Sequence, residues 1–258
     1  MLLHSINETE LVKGEIIKRP SRHIKSPYVA DVMINNNISL LAHTPSLGCC
    51  GLSDKGSTVM IEKAPENKKT KTDGKVQISI FEERNNIQYI GINPKLSEIL
   101  VEKSLQMNCF QHLKDIKSFK REKTIKTSRF DFIGVDKHGN PFILEVKSAR
   151  KDTVSPRALK HIKELKTIKL ESPSTRCILC FVIQRTDVCV FQPSKVDPIY
   201  REAVQDAWLH GVEIFTLQVK WNEQGKAYFH SSILPVCLFD EEGPQLLNHE
   251  KHIQDCNV

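Results

Sequence analysis

Cysteine is scarce in this chain. Eight in 258 residues are too few to staple a protein of this length as a disulfide scaffold. Long apolar runs are missing as well. No stretch approaches the ~20 residues that a membrane-spanning helix needs, and Met1-Leu2-Leu3-His4 turns polar too soon for a secretory leader. The first residues lack the arginines of a transit peptide, and no internal repeat is visible. These absences lead to the expectation of a soluble protein from a reducing compartment, the cytoplasm, with an organelle left open and no membrane partner. There is no acidic excess either. The net charge of +6 and pI near 8.8 are compatible with an anionic partner without requiring one. A hydrophobic fraction of 40% in 258 residues supports a folded core, in one large domain or two small ones.

What is present falls into two patterns. The first part reads as short strands: Leu11 to Arg19, Tyr28 to Ile34, Ile38 to His43, Ser57 to Glu62, Lys75 to Phe81 and Ile87 to Ile92. Each is β-branched or alternates apolar with polar residues. Asn35-Asn36-Asn37 marks a turn, and the stretch from Pro65 to Gly74 is a polar, basic loop. So many short strands in so few residues suggest a small barrel of the OB type. A helix begins near Pro94, with Leu96, Ile99, Leu100 and Leu105 on its apolar face. From about Phe119 strands alternate with helices. A helix is expected from Pro156 to Leu170, an apolar central strand from Cys177 to Ile183, a helix from Pro198 to Leu209 stopped by Gly211, and a last strand from Val212 to Val219. The expected architecture is a two-domain α+β protein: an OB-like barrel over 1–93, a connecting helix region over 94–117, an α/β sheet domain over 118–239 and a polar tail over 240–258.

Acidic residues inside apolar strands carry the chemistry. Ser128-Arg129-Phe130-Asp131-Phe132 and Phe142-Ile143-Leu144-Glu145-Val146-Lys147 flank the turn-forming Asp136-Lys137-His138-Gly139-Asn140-Pro141. A hairpin here brings Asp131 and Glu145 side by side, and alternation puts Lys147 on the face of Glu145. An acid in a buried strand is costly unless neutralised, and a divalent cation would neutralise it. Two carboxylates holding Mg²⁺ (or Mn²⁺), with a lysine to orient water or steady phosphate charge, suit phosphodiester hydrolysis. Glu122, upstream, could add a further carboxylate. By itself Asp-x13-Glu-x-Lys is a weak pattern, and a surface ion pair between Glu145 and Lys147 is the bland alternative.

The chain resembles the sugar fermentation stimulation proteins. The likeness rests on Arg121-Glu122, Ser128 to Phe132, Glu145-Val146-Lys147, Arg157, Lys160-His161 and Phe181-Val182-Ile183-Gln184-Arg185. Upstream, Ala42 to Gly48, Gly51-Leu52, Gly56-Ser57 and Gly91-Ile92-Asn93 follow the same order, so the resemblance runs from about residue 11 to about residue 220. It implies an OB-like domain joined to a nuclease-like α/β domain of the PD-(D/E)xK, restriction-endonuclease-like type. It also implies binding to DNA without strong sequence preference, and a regulatory link to maltose metabolism. Carried over, Asp131, Glu145 and Lys147 form the nuclease-type core, Asp131 and Glu145 hold the metal, and Glu122 is accessory. Two departures stand out. Members carry Cys-Pro-Asn-Thr-Gly where this chain has Thr44-Pro45-Ser46-Leu47-Gly48. They also carry a longer segment with Phe-Pro-Asp-Ala where only Ser148 to Val154 spans the gap.

Basic residues surround this core. Lys117, Lys120, Arg121, Lys123, Lys126 and Arg129 precede it, and Arg150, Lys151, Arg157, Lys160, Lys163, Lys166 and Lys169 follow. Such clusters neutralise phosphates without reading bases, although Lys163 to Lys169 fit a solvated helix face equally well. Arg157, Lys160 and His161 open the helix after the hairpin and are the stronger phosphate contacts, with His161 as a packed residue the alternative. Arg19, Arg22, His23, Lys25 and Tyr28 give the barrel a basic stretch with one aromatic, which an exposed loop also explains. Lys68, Lys69 and Lys71 read as a solvated loop. Gln184 and Arg185 either reach substrate or cap a strand. Cys177 and Cys180 form a lone CxxC with no second pair, and read as small apolar residues. Three functions remain open: a Mg²⁺-dependent nuclease, a non-catalytic DNA-binding regulator, and a small-molecule or RNA-processing partner protein whose basic face meets some other polyanion.

Overall fold

The computed structural model describes residues 1–6, 11–35, 38–47, 49–65, 67, 70–83, 86–149 and 155–239. Asn36 and Asn37 of the expected turn, Gly48, Lys68, Lys69, Arg150, Lys151, the rest of the short 150–154 stretch and the 240–258 tail lie outside the described residues. The chain divides into two compact units. One holds residues 1–100, 184–187 and 219–229, and the other holds 101–183, 188–218 and 230–258.

The first unit is rich in strands. After β1 (Leu2–Ser5) come β2 (Leu11–Lys18), β3 (Val29–Ile34), β4 (Ile38–His43), β5 (Thr58–Lys63), β6 (Gly74–Glu83) and β7 (Asn86–Gly91). The strand order β4-β3-β2-β5-β6-β7 is closed by a further β4–β6 pairing. All neighbours are antiparallel except β4 and β6, which run parallel, with Ala42 opposite Gly74. This five-stranded ring is the expected OB-like barrel. Its core is small and branched: Ile16, Ala30, Val32, Ala42, Val59, Ile61, Val76 and Ile92. Closure depends on Gly74, which is paired to β4 and β5 at once. A Cβ there would lie 2.6 Å from the Glu62 carbonyl oxygen, so only glycine allows this approach.

The second unit alternates strands and helices. The chain continues through α1 (Pro94–Gln106), β8 (Ile116–Ile125), β9 (Ser128–Asp136), β10 (Pro141–Ser148), α2 (Pro156–Glu171), β11 (Arg176–Ile183), α3 (Pro198–Leu209), β12 (Glu213–Trp221) and β13 (Lys226–Ser231). In this unit the strand order is β12-β11-β10-β9-β8. β10, β11 and β12 are parallel, with α2 and α3 as crossovers, while β9 runs antiparallel to both of its neighbours. Each helix opens on proline, whose missing N–H costs nothing in the first turn. Ser155 caps α2 by accepting from the Ala158 N–H, and Asp197 caps α3 by accepting from the Tyr200 N–H. Ile162, Leu165 and Ile168 of α2 and Val204 and Ala207 of α3 pack with Cys177, Leu179, Phe181 and Ile183 of β11 in one core. Each large side chain fully buried in this way contributes roughly 1.5–3 kcal/mol. Cys177 and Cys180 are both buried, and burial pushes the Cys177 thiol up to about 11, which suits the apolar reading.

Two short strands had no expected counterpart. β1 pairs antiparallel with β13, Leu2 lying opposite Tyr228. The brief apolar start of the chain is therefore a strand whose partner lies near the other end of the sequence.

Candidate metal and phosphate site

The β9–β10 hairpin builds the site. Asp136 fixes its turn: one carboxylate oxygen accepts the N–H groups of His138 and Asn140, and the other accepts from the Asn140 side chain. The strands then pair in register, Ile143 opposite Ile133 and Leu144 opposite Phe132. Extending this register sets Glu145 level with Asp131. There the Asp131 carboxylate accepts the Val146 N–H at 2.7 Å and so stands against the peptide that follows Glu145.

Glu145 is 1% exposed, a position in which a carboxylate needs compensation. One of its oxygens, Oε1, accepts from the Lys147 ammonium and from Nδ1 of His161. Its other oxygen, Oε2, is buried with no hydrogen-bond partner among the described residues. Burial pushes the carboxyl up. The His161 hydrogen bond and the Lys147 charge outweigh that and hold Glu145 below the ordinary carboxylate range. His161 comes from α2, is itself buried, and lies 5.9 Å from the Phe130 ring, centroid to centroid. Its contact with an ionised carboxylate fixes the Nδ1–H tautomer.

The other residues singled out by sequence divide into two groups. Arg121, Arg129, Arg157 and Lys160 belong to the same compact unit and are exposed. Arg121 pairs with Glu102 and lies over the Phe132 ring. Lys160 donates to the Thr127 carbonyl at 2.9 Å, tying the start of α2 to the β8–β9 turn. Glu122 sits on β8 in a left-handed backbone conformation (φ +51°) and pairs with Arg129 at 3.6 Å. Lys166 pairs with Asp206, and Lys169 donates to the carbonyls of Pro173 and Thr175. These two lysines are therefore engaged rather than simply solvated.

Arg19, Arg22 and Gln184 belong to the other unit. Arg22 is exposed. Three expectations need correction. His161, expected as a phosphate contact, is buried against Glu145. The Arg19 guanidinium donates to the backbone carbonyls of Pro27, Ser46 and Leu47 and to the Ser53 hydroxyl, so it holds loops together instead of facing a phosphate. Gln184 is 1% exposed. Its amide reaches Ser97 and the Asn93 carbonyl and accepts from the Trp221 indole, which removes it from any nucleic-acid surface.

Two further residues, Asp197 and Tyr200, come with α3 from some fifty residues downstream of Glu145 and were not singled out in the sequence. Asp197, the α3 cap, also accepts the Ser155 N–H at 3.4 Å. The Tyr200 hydroxyl is buried without a hydrogen-bond partner among the described residues. Burial, together with the negative charges of Glu145 and Asp197, pushes its pKa well up. The only available hint was an Asp-Pro pair opening an apolar helix.

Comparison with known proteins gives a single answer. The family profile described as "Sugar fermentation stimulation protein RE domain" matches residues 95–225. A sugar fermentation stimulation protein homolog from Clostridium tetani is 30% identical over 230 residues, covering 84% of this chain and 94% of the relative. One from Clostridium botulinum (strain Langeland) is 32% identical over 216 residues, covering 79% and 88%. Among solved structures, SfsA of Pyrococcus furiosus in complex with Ca²⁺ superposes with a TM-score of 0.76 at 23% identity, covering 92% of this chain and 99% of that one. The barrel, the parallel sheet behind the hairpin and the sequence matches across both units agree: this chain belongs to the sugar fermentation stimulation protein family.

Proposed function

We propose that the protein binds DNA through its phosphates and hydrolyses phosphodiester bonds with a divalent cation held by Asp131 and Glu145. The observation that carries this reading is the unpartnered Oε2 of Glu145, a buried anionic oxygen with no hydrogen bond, one residue from the amide that anchors Asp131. Among the described residues no three His, Cys, Asp or Glu side chains converge as a ready metal cage. Two carboxylates nonetheless fit a hard cation such as Mg²⁺, which takes one or two protein carboxylates and completes its shell with water and phosphate oxygens. The Ca²⁺ complex of the Pyrococcus furiosus protein supports a cation on this fold. Once bound, the cation would polarise a phosphate oxygen and make water a better nucleophile at neutral pH.

The remaining work falls to the chain itself. The Lys147 ammonium, fixed on Glu145, orients the attacking water or steadies charge developing on the phosphate. His161 is a positioning residue, holding Glu145 through Oε1 and leaving Oε2 for the cation. Arg121, Arg129, Arg157 and Lys160, on the same compact unit, are exposed charges available to flanking phosphates. Glu122 is available as an accessory acid if its Arg129 pair opens.

A second reading, a non-catalytic and sequence-nonspecific DNA-binding regulator, is favoured by one observation. The protein's own Lys147 and His161 already compensate Glu145. The deciding experiment incubates plasmid and single-stranded DNA with Mg²⁺ or Mn²⁺, comparing wild type with Asp131→Ala and Glu145→Ala. Cleavage lost in both variants supports hydrolysis. Salt-dependent binding without cleavage by wild type supports the regulator.

A further inference from the structure

Beside the Glu145 cluster lies a cleft that the proposed chemistry does not use. Lys147 stands at one side, and Ala149, Ala158, Phe181, Phe191 and Tyr200 supply walls. It holds about 570 Å³ of empty space, the open solvent at its mouth included. Phe181 and Phe191 lie with ring centroids 4.3 Å apart.

Three features define the chemistry of an occupant. The walls are mostly apolar and partly aromatic, which favours a flat ring. Tyr200 lines the cleft and adds a further aromatic ring to its wall, while its hydroxyl lies buried without a hydrogen-bond partner among the described residues. An anion is disfavoured inside. The two helices that begin here, α2 and α3, each have one first-turn N–H taken by the cap side chain, Ser155 or Asp197, and the acidic Asp197 is among the wall residues. The negative charge of a ligand therefore belongs at Lys147, and its neutral ring belongs in the cleft.

We propose that this cleft receives one unstacked nucleobase of the DNA strand whose phosphate is engaged at Lys147 and Glu145. A nucleobase is flat and neutral, has hydrogen-bonding edges, and is tethered to a phosphate. This inference rests on the phosphate-binding reading above. It adds that the strand is locally unstacked at the site, in a single-stranded region or at an extruded base.

The test uses the full-length protein with Ca²⁺ and measures binding of deoxyadenosine monophosphate and of deoxyribose 5-phosphate, which lacks the base, by ligand-observed NMR. Stacking on aromatic walls predicts that the nucleotide binds about 5- to 150-fold tighter. Tyr200→Ala removes a ring from the wall. It should weaken nucleotide binding at least about 5-fold and leave deoxyribose 5-phosphate unchanged. Ala149→Phe fills the cleft and should abolish the difference between the two ligands, with circular dichroism checking that each variant folds. Equal binding of both ligands by wild type, no binding of either, or a preference untouched by both substitutions overturns the inference. Cleavage is read separately in the plasmid assay. A nucleotide preference without cleavage retires the hydrolytic reading and leaves the cleft standing, and cleavage without a preference does the reverse.

Discussion

Glu145→Gln separates the structural role of this residue from its proposed cation-binding role. The substitution keeps the shape and the carbonyl oxygen but removes the charge. Deleting one partner of a buried ion pair costs about 3–5 kcal/mol. Here the loss should be smaller, because the Lys147 side chain retains 14% exposure and a glutamine oxygen still accepts hydrogen bonds. An expected loss of about 2 kcal/mol lowers the melting temperature by about 4–8 °C at the usual 2–4 °C per kcal/mol for a chain of this size. Added cation should then stabilise wild type alone. At a hundred times its Kd, a ligand of the folded state adds about 2.7 kcal/mol, or about 5–10 °C, to wild type and nothing to the variant. Differential scanning calorimetry in EDTA and in Ca²⁺ gives the four melting temperatures needed. A variant that melts at or above wild type in EDTA refutes the pairing argument. A variant that gains as much from Ca²⁺ as wild type removes the cation from Glu145.

Other substitutions probe the frame and the surface. Gly134→Ala puts a Cβ 2.4 Å from the Ser118 carbonyl oxygen and 2.6 Å from the Phe142 ring. The backbone oxygen cannot yield, so urea titration should show a loss of about 1–3 kcal/mol, and an unchanged midpoint would contradict the packing of β8 on β9. Asp187 is held below the ordinary carboxylate range by the hydrogen-bonded Arg185 guanidinium, against opposition from burial. A depressed folded value means stability that is present above the unfolded carboxylate pKa of about 3.9 and lost as pH falls through the lower folded value. With both side chains still part-exposed, at 29% and 20%, Asp187→Asn should cost at most about 1 kcal/mol at pH 7. The gap to wild type should close in acid, and a gap of equal size at pH 7 and pH 3 would rule out the linkage. Lys160→Ala should weaken binding to every DNA sequence alike and reduce the salt slope by about 1, and a loss confined to certain sequences would mean that Lys160 reads bases.

Much of the fold was legible because its punctuation is local. Pro94, Pro156 and Pro198 open the three helices where expected, and Gly211, in a left-handed conformation, stops α3. The strands of the barrel fall within a residue or two of the alternating segments. What escaped depends on distant parts of the chain. β1 is a strand only because β13 pairs with it, and Leu2 to Ser5 alone cannot show this. Arg19 and Gln184 read as surface contacts because a polar residue at a strand end is usually solvated. Their true partners, the 46–53 loop for Arg19 and Asn93, Ser97 and Trp221 for Gln184, are not sequence neighbours.

The same distinction explains the candidate site. A carboxylate within Phe-Ile-Leu-Glu-Val-Lys stands out because burying it must be compensated somewhere, and alternation supplies Lys147 as one compensating group. Sequence could not show how that compensation is divided. In the structure it falls almost wholly on one oxygen: Oε1 takes both Lys147 and His161, and Oε2 takes neither. A carboxylate that served only to hold the hairpin to α2 would gain by sharing its two donors between two oxygens. Crowding both onto one leaves the other desolvated, and a protein sustains that cost where a further positive partner completes the shell. The asymmetry within a single side chain, more than the acid-acid-lysine spacing, is what favours a cation at this site over a plain structural ion pair.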